Sequence, residues 1–245
     1  MELKQTVKLG LRRLVAIPRM KGVYIRARTL MGANVDFLRH DTLPGRFSAI
    51  YRDRVWLNDR ESGALSGLGS EVENTRSIRQ RLPETLTALG VRTLLDVGCG
   101  DFTWMQRVEL PCRYIGVDVV EPVIEANRAA HGSASRSFHL ADATREPLPE
   151  ADAVLCREVL FHLSFDDIRR VIENVRGCGA SYLIATNDDA TPFNVDILSG
   201  DFRKVNLRGA PFLFPEPILS IPDDSVARGR ALSVWKIASL PARIV

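Results

Sequence analysis

Leu94-Leu95-Asp96-Val97-Gly98-Cys99-Gly100-Asp101 is the stretch that decides the fold of this chain. Its first four residues complete an apolar run, from Val91 to Val97, that predicts a buried strand. Two glycines follow with one residue between them, and residues 101–108 are compatible with a helix. A strand, a tight glycine turn and a helix are typical of the nucleotide-binding corner of a doubly wound α/β sheet. Glycine suits the turn because a Cβ atom would block the close approach of a ligand.

The residues around this turn narrow the choice of ligand. A dinucleotide-binding turn would have a third glycine at position 103, where this chain has Thr103 beside Phe102. Bulky side chains hinder a pyrophosphate from lying on the backbone N–H groups at a helix start. Asp96 would repel a phosphate but could accept a hydrogen bond from an ammonium group. The turn therefore favours a nucleoside that carries a cationic amino acid.

Acidic residues also end the next two predicted strands. Asp118 ends the apolar segment 112–118 and lies 18 residues after Gly100, close to the spacing of a carboxylate that accepts both ribose hydroxyls. A plain helix cap is the alternative for Asp118. Asp142 and Ala143 follow a short third strand. These acids predict a polar site along the carboxyl edge of the sheet.

The remaining pattern predicts the sheet topology. A fourth strand at 151–156 and a fifth at 181–186 alternate with helices at 122–130 and 167–176. Such alternation calls for a parallel sheet with right-handed crossovers. No long helix pattern appears in 187–217. The segments 215–221 and 232–237 are predicted to pair as an antiparallel hairpin at the sheet edge.

Together, the Asp96-x-Gly98-x-Gly100 turn, Asp118 and Asp142-Ala143 resemble the motifs of class I S-adenosylmethionine (SAM) dependent methyltransferases over about residues 90–186. The resemblance implies an α/β, doubly wound, seven-stranded and mostly parallel Rossmann-like sheet with an antiparallel C-terminal hairpin. Three phrases, LLDVGCGDFTWM, LCREVLFHLSFDDI and FLFPEP, resemble a small bacterial group of methyltransferases associated with surface glycans.

The resemblance implies SAM as cofactor and assigns its site. Asp142 would accept from the exocyclic amine of adenine. Arg157 would contact the cofactor carboxylate or the substrate, with a structural salt bridge as its alternative. The implied cofactor-binding residues are Asp96, Gly98, Cys99, Gly100, Asp118, Asp142, Ala143 and Arg157.

The acceptor side is expected at the carboxyl ends of strands four and five, where Glu158 and His162 stand. Either could be the general base that removes a hydroxyl proton. Alternatively, His162 holds a backbone carbonyl in a helix packing. An Asn-Pro-Pro-Tyr/Phe motif, typical of enzymes that methylate amino groups of bases or glutamine, is absent. The polar stretch 187–206 suits a polyhydroxylated substrate.

We therefore expect methyl transfer from SAM to an oxygen of a small molecule or glycan intermediate. Two alternatives stay open: a non-catalytic SAM-binding regulatory or scaffold module, and an NAD(P)-dependent oxidoreductase.

Charge divides the chain. Residues 1–60 hold 13 Lys/Arg and 5 Asp/Glu, a balance of +8, whereas the rest holds 20 and 25, a balance of −5. We interpret 1–60 as a basic, helical N-terminal extension and 61–245 as the methyltransferase domain.

Residues 2–17 are compatible with a helix that has one apolar face and a row of Lys4, Lys8 and Arg12. Residues 1–30 could dock on an anionic membrane or on an acidic partner, or the helix could pack on its own domain. Nucleic acid is not expected as a partner, because the catalytic part is acidic and contains no recognisable RNA-binding module.

Two more features bear on location and dynamics. The four cysteines form no C-x-x-C pair and no Cys/His cluster with zinc spacing, which predicts no metal site and a reduced cytoplasm. If residues 1–30 dock on a membrane, the protein would also lie peripherally at the inner face of that membrane. The Gly/Ser-rich loop 62–70 precedes a predicted helix at 71–82, and could be a lid over the nucleoside or a linker.

Overall fold

The computed structural model describes residues 20–57 and 60–244. Seven strands form one sheet in the order β3-β2-β1-β4-β5-β7-β6. The first five strands are parallel, whereas β7 runs antiparallel to both β5 and β6. This arrangement confirms the predicted doubly wound sheet and its C-terminal hairpin. The strands are β1 (Thr93–Val97), β2 (Arg113–Asp118), β3 (Arg136–Leu140), β4 (Ala153–Cys156), β5 (Tyr182–Asp188), β6 (Leu219–Pro222) and β7 (Arg230–Lys236).

Five α-helices accompany the sheet in the described part of the chain. The predicted helices at 122–130 and 167–176 are confirmed as α4 and α5, and the Ser164 side chain caps α5 by accepting from the backbone N–H of Asp167. The helix predicted at 71–82 lies further along the chain, because residues 73–75 form a 3₁₀ turn instead. The helices are α1 (Lys21–Leu30), α2 (Leu43–Arg52), α3 (Arg76–Ala88), α4 (Glu121–His131) and α5 (Phe165–Gly177).

Both faces of the sheet are covered. Successive residues of a strand point to opposite faces, so Leu95 packs with the apolar residues of α5 and Leu94 with those of α3. Every residue of β4 is buried as a result. Double coverage explains why the central strands read as continuous apolar runs in the sequence.

The helix predicted at residues 101–108 is wrong. After the glycine turn the chain forms only a 3₁₀ turn, Met105–Arg107. Phe102 has a positive φ of 59° and is almost fully buried. Its ring lies 5.2 Å from that of Tyr114 and 5.1 Å from that of Phe138. This aromatic packing anchors the chain against β2 and β3, and the left-handed backbone at Phe102 is incompatible with a helix.

The described part of the basic extension packs as a small helical layer. Tyr24 and Ile25 of α1 and Ala49 and Ile50 of α2 share one apolar cluster. An ion pair between Arg28 and Asp201 joins this layer to the rest of the chain. The helix predicted at 2–17 lies outside the described residues, and the boundary at residue 60 stays a prediction. In the part of the chain that the structure describes, no helix is long and apolar enough to cross a membrane.

Candidate active site

A pocket lies where the parallel strands β1, β2 and β4 end. Carboxyl ends of parallel strands meet at one edge of a sheet, which is where ligands bind in open α/β folds. The strand ends supply one wall of the pocket. Helix α2 and the turn after it supply another. Every residue predicted to bind the cofactor or act on the acceptor lines this pocket: Asp96, Gly98, Cys99, Gly100, Asp118, Asp142, Ala143, Arg157, Glu158 and His162.

The glycine turn is held by the end of β2. The backbone N–H groups of Gly98 and Cys99 both donate to the carbonyl of Val117, at 2.8 and 3.0 Å. The N–H of Gly100 donates to the Asp118 carboxylate at 3.0 Å. Both glycines have positive φ, and a Cβ on Gly98 would lie only 2.5 Å from the Val159 side chain. The predicted requirement for glycine therefore has a steric basis at this turn.

Three aspartate carboxylates line the pocket. Asp96 accepts from the hydroxyl of Tyr114 at 2.8 Å, and Asp118 accepts from the N–H of Val120 as well as from the turn. Asp142 accepts from the N–H and the hydroxyl of Thr144. Burial raises the pKa of Asp118, and it raises the pKa of Asp96 to about 7. Such a set of acceptors suits ammonium, hydroxyl and amine donors and would repel a pyrophosphate.

The Gly/Ser-rich loop closes over the glycine turn. The Ser66 hydroxyl accepts from the backbone N–H of Asp101 at 2.9 Å and donates to its carboxylate at 3.0 Å. Tyr51 of α2 bonds the same hydroxyl at 2.7 Å. A Cβ on Gly100 would lie 2.3 Å from the Ser66 oxygen, so the loop packs directly on the turn.

Arg157 is buried and already paired. Its Nε and Nη2 donate to the two oxygens of Asp223, each at 3.0 Å, and Nη2 also donates to the Gly69 carbonyl at 2.9 Å. The guanidinium lies 5.1 Å from the ring centroid of Trp104. The salt bridge considered for Arg157 therefore exists. Among the described residues, Nη1 has no hydrogen-bond partner.

Glu158 is fixed in an unusual backbone conformation. Its φ is 57°, and its N–H donates to the Thr186 hydroxyl at 2.8 Å. Its carboxylate accepts from Arg230 at 2.6 Å, and Arg230 also bonds Asp188 at 3.1 Å. A Cβ on Gly69 would lie 1.7 Å from the second Glu158 oxygen, so only glycine leaves room for this carboxylate.

His162 has a defined tautomer. Its Nδ1 lies 2.9 Å from the main-chain carbonyl of Asp201. A carbonyl only accepts, so Nδ1 carries the proton and Nε2 keeps its lone pair. Burial lowers the pKa of His162 to about 4, which keeps the ring neutral at physiological pH. The ring packs 4.9 Å from that of Trp56. His162 can therefore donate from Nδ1 to the carbonyl and still present Nε2 as a proton acceptor.

The apolar wall facing these groups comes from the N-terminal extension. Leu43, Phe47 and Tyr51 of α2 and Trp56 of the next turn line the pocket. The sequence does not reveal that Tyr51 and Trp56 line this pocket, because the packing of α2 against strand ends that are distant in the chain has no local signal.

One stretch of the chain matches a known protein family. Residues 95–181 match the family described as "Methyltransferase domain". This stretch of the chain is a class I SAM-dependent methyltransferase domain. The matched residues contain the end of β1, the glycine turn, Asp118, Asp142-Ala143 and the polar segment after β4. No curated protein matches the chain.

Several solved structures are similar to the methyltransferase. The N-methyltransferase NodS from Bradyrhizobium japonicum WM9 is 22% identical over 47% of this chain and 70% of its own, with a TM-score of 0.40. The magnesium protoporphyrin IX methyltransferase from Synechocystis PCC 6803 is 17% identical over 60% and 70%, with a TM-score of 0.44. The PH0226 protein from Pyrococcus horikoshii OT3 is 16% identical over 67% and 89%, with a TM-score of 0.48. None of them identifies the methyl acceptor of this chain.

We expect the substitution Asp96→Asn to remove a pH dependence from the stability of the ligand-free enzyme. The pKa of Asp96 is raised from 3.8 to about 7 by burial. Between these values the folded protein keeps a proton that the unfolded chain has lost, so the free energy of unfolding falls as pH rises. Between about pH 5 and about pH 8 the wild type should lose on the order of 2 kcal/mol more than the variant.

Urea unfolding at the two pH values measures this difference. Glu84→Gln, at an exposed position of α3, is the control and should follow the wild type. Equal losses in the wild type and in Asp96→Asn would contradict a raised pKa at Asp96.

Proposed function

We propose that this methyltransferase transfers the methyl group of SAM to a hydroxyl oxygen of a small molecule or glycan intermediate. The observation that carries the proposal is His162, a neutral imidazole whose Nδ1–H is bound to the Asp201 carbonyl and whose Nε2 is left to accept a proton. A hydroxyl acceptor must lose a proton as its oxygen is methylated, whereas the pocket would need no base for an acceptor that stays charged.

The cofactor roles follow from the acceptors in the pocket. We propose that Asp118 binds the ribose hydroxyls and Asp142, with Ala143, binds adenine. Asp96 is the acceptor for the ammonium group, and the pKa of its carboxyl would fall when that cation is bound. The backbone of Gly98, Cys99 and Gly100 leaves room for the ligand. Burial raises the pKa of the Cys99 thiol, so this residue contributes as a neutral side chain.

Arg157 completes the cofactor site in this proposal. Its Nε and Nη2 are taken by Asp223 and Gly69, so only Nη1 is available to a carboxylate. The salt bridge and the contact with the cofactor are therefore compatible. The bond to Gly69 also ties the closed loop to the site.

Methyl transfer requires the protein to align the acceptor with the methyl group and to accept one proton. SAM supplies an activated methyl group. The enzyme must hold the acceptor oxygen in line with that group, because this positioning makes a bimolecular step effectively unimolecular. His162 is a weak base in this burial, and it accepts the proton as the hydroxyl becomes acidic during bond formation. Glu158, paired with Arg230, is the alternative base and otherwise orients the acceptor.

We expect Asp118→Ala to weaken SAM binding by about 1.5–3 kcal/mol, because ribose hydroxyls would lose their partner in a closed site. Isothermal calorimetry with SAM and with S-adenosylhomocysteine measures the change. Asp152→Ala is the matched control. Asp152 also accepts two backbone N–H groups, from Arg92 and Thr93, but at the opposite end of β1. Unchanged affinity in Asp118→Ala would remove this residue from the ribose role.

We expect His162→Asn to reduce turnover by about 10²–10⁴-fold with SAM affinity nearly intact, if His162 is the base. Asn can still donate to the Asp201 carbonyl but lacks the acceptor at the Nε2 position. Turnover is measured as release of S-adenosylhomocysteine with a panel of phenols, glycosides and amines. Glu158→Gln, tested beside it, reports on the alternative base.

Three outcomes would contradict this proposal. Near-normal turnover in both variants would mean that catalysis here is positioning alone. Turnover with amines only would exclude an oxygen acceptor. A protein that binds SAM but methylates no member of the panel, even at high enzyme concentration, would favour the non-catalytic module.

We also propose that residues 1–30 contact the anionic inner face of a membrane. In the described part, α1 turns Tyr24 and Arg28 inward, whereas Val23 and Leu30 are 49% and 81% exposed and Arg26 is exposed beside them. Exposed apolar and basic side chains on one helix suit an interfacial position. Each cation near such a surface contributes roughly 1 kcal/mol, and salt weakens the attraction.

Co-sedimentation with vesicles tests the membrane contact. The full chain should sediment with vesicles that contain phosphatidylserine at low salt and stay in solution at high salt. A chain lacking residues 1–19, with Val23→Ser and Leu30→Ser, should bind less and retain SAM affinity. A full chain that ignores anionic vesicles at low salt would mean that this segment is a packing element.

A further inference from the structure

The segment 199–203 holds the turn that carries His162. The N–H of Gly200 donates to the His162 carbonyl at 2.7 Å, and the N–H of Arg203 donates to the Phe161 carbonyl at 3.1 Å. The N–H of Ser164 donates to the Ser199 hydroxyl at 2.8 Å. Together with the Asp201 carbonyl on Nδ1, these bonds fix both the backbone and the ring of His162.

The same segment is anchored to the N-terminal extension through the Asp201 carboxylate. Arg28 of α1 donates to it at 2.7 and 3.4 Å. The Tyr24 hydroxyl also donates to this carboxylate and accepts from Arg28 at 2.6 Å. All three side chains are buried. Burial alone would raise the pKa of Asp201, but Arg28 and the hydrogen bonds outweigh it and hold that pKa below its ordinary value.

A charged cluster in this place needs a reason, because burying an ion pair costs desolvation that its attraction often fails to offset. The cluster does not touch the pocket, since Tyr24, Arg28 and Asp201 are all absent from its lining. Its direct link to the imidazole ring is the Asp201 carbonyl oxygen. The carboxylate of the same residue accepts hydrogen bonds from Tyr24 and Arg28 of α1.

We propose that Asp201, Tyr24 and Arg28 are positioning residues for His162. By fixing the Asp201 carbonyl, they hold the imidazole in the tautomer that leaves Nε2 free to accept a proton. The proposal rests on the proton-accepting role of His162 given above. It makes the N-terminal extension part of the catalytic machinery, because helix α1 decides which ring nitrogen carries the proton.

The physical reason is that a neutral imidazole has two tautomers of similar energy. The hydrogen bond that one nitrogen makes decides which nitrogen is protonated. A carbonyl fixed at 2.9 Å from Nδ1 selects the Nδ1–H form. If the carbonyl drifts, the Nε2–H form becomes populated, and that form presents a donor to the pocket where an acceptor is needed.

Nitrogen-15 NMR of the full chain, labelled at histidine and saturated with S-adenosylhomocysteine, reads the tautomer directly. Protonated and unprotonated ring nitrogens resonate far apart, and His162→Asn assigns the signal among the four histidines. Arg28→Met should convert a single Nδ1–H form into a mixture with about a tenth or more of the Nε2–H form. Tyr24→Phe should give a smaller share, and Arg28→Lys should restore most of the native form.

Arg39→Met is the matched control. Arg39 belongs to the same extension and pairs with Asp36, but both side chains are exposed, so the tautomer should not change. Affinity for S-adenosylhomocysteine, measured by calorimetry, should stay within about twofold in every variant that folds.

A single, unchanged Nδ1–H form in folded Arg28→Met would overturn the proposal. If Arg28→Met does not fold, Tyr24→Phe decides, because it removes one hydroxyl and keeps the ion pair. A native tautomer in Tyr24→Phe would then overturn it. Failure of the proposed function looks different: His162→Asn would keep its turnover while the tautomer still shifts in Arg28→Met.

Discussion

The hydrogen bond from the Gly100 N–H to the Asp118 carboxylate, 3.0 Å long, is the constraint on which the site depends. It joins the turn after β1 to the end of β2, and it requires a left-handed backbone that glycine adopts at little cost. Because the turn is fixed, the Ser66 loop can pack on it, and Tyr51 of α2 follows through the Ser66 hydroxyl. One carboxylate thus orders the glycine turn, and the turn orders the cover of the pocket.

Buried ion pairs between distant parts of the chain fix the acceptor side. Arg157 and Asp223 are 66 residues apart, Glu158 and Arg230 are 72 apart, and Arg28 and Asp201 are 173 apart. Buried pairs contribute little net stability, whereas loss of one partner is costly. We interpret them as determinants of geometry. Two of them attach the C-terminal hairpin to the end of β4, and the third attaches helix α1 to the support of His162.

The local pattern of the sequence was sufficient to predict the sheet and to place the polar strand-end residues along one edge of it. Buried strands and glycine turns are encoded by neighbouring residues, so the strand that ends at Asp118 and the C-terminal hairpin are confirmed. The helix after Gly100 was wrong because Phe102 finds its aromatic partners on β2 and β3, which no window around residue 102 reveals. For the same reason the sequence could not show that α2 walls the pocket. The partners of Arg157 and the role of Asp201 depend on contacts across the whole chain.

A crystal structure of the full chain with S-adenosylhomocysteine tests the central claim most directly. The account predicts the ribose hydroxyls at the Asp118 carboxylate and the amino group at Asp96. The sulfur atom should face Nε2 of His162, with room between the two atoms for an acceptor hydroxyl. A ligand bound in this pocket with its sulfur directed away from His162, or a ribose out of reach of Asp118, would contradict the account.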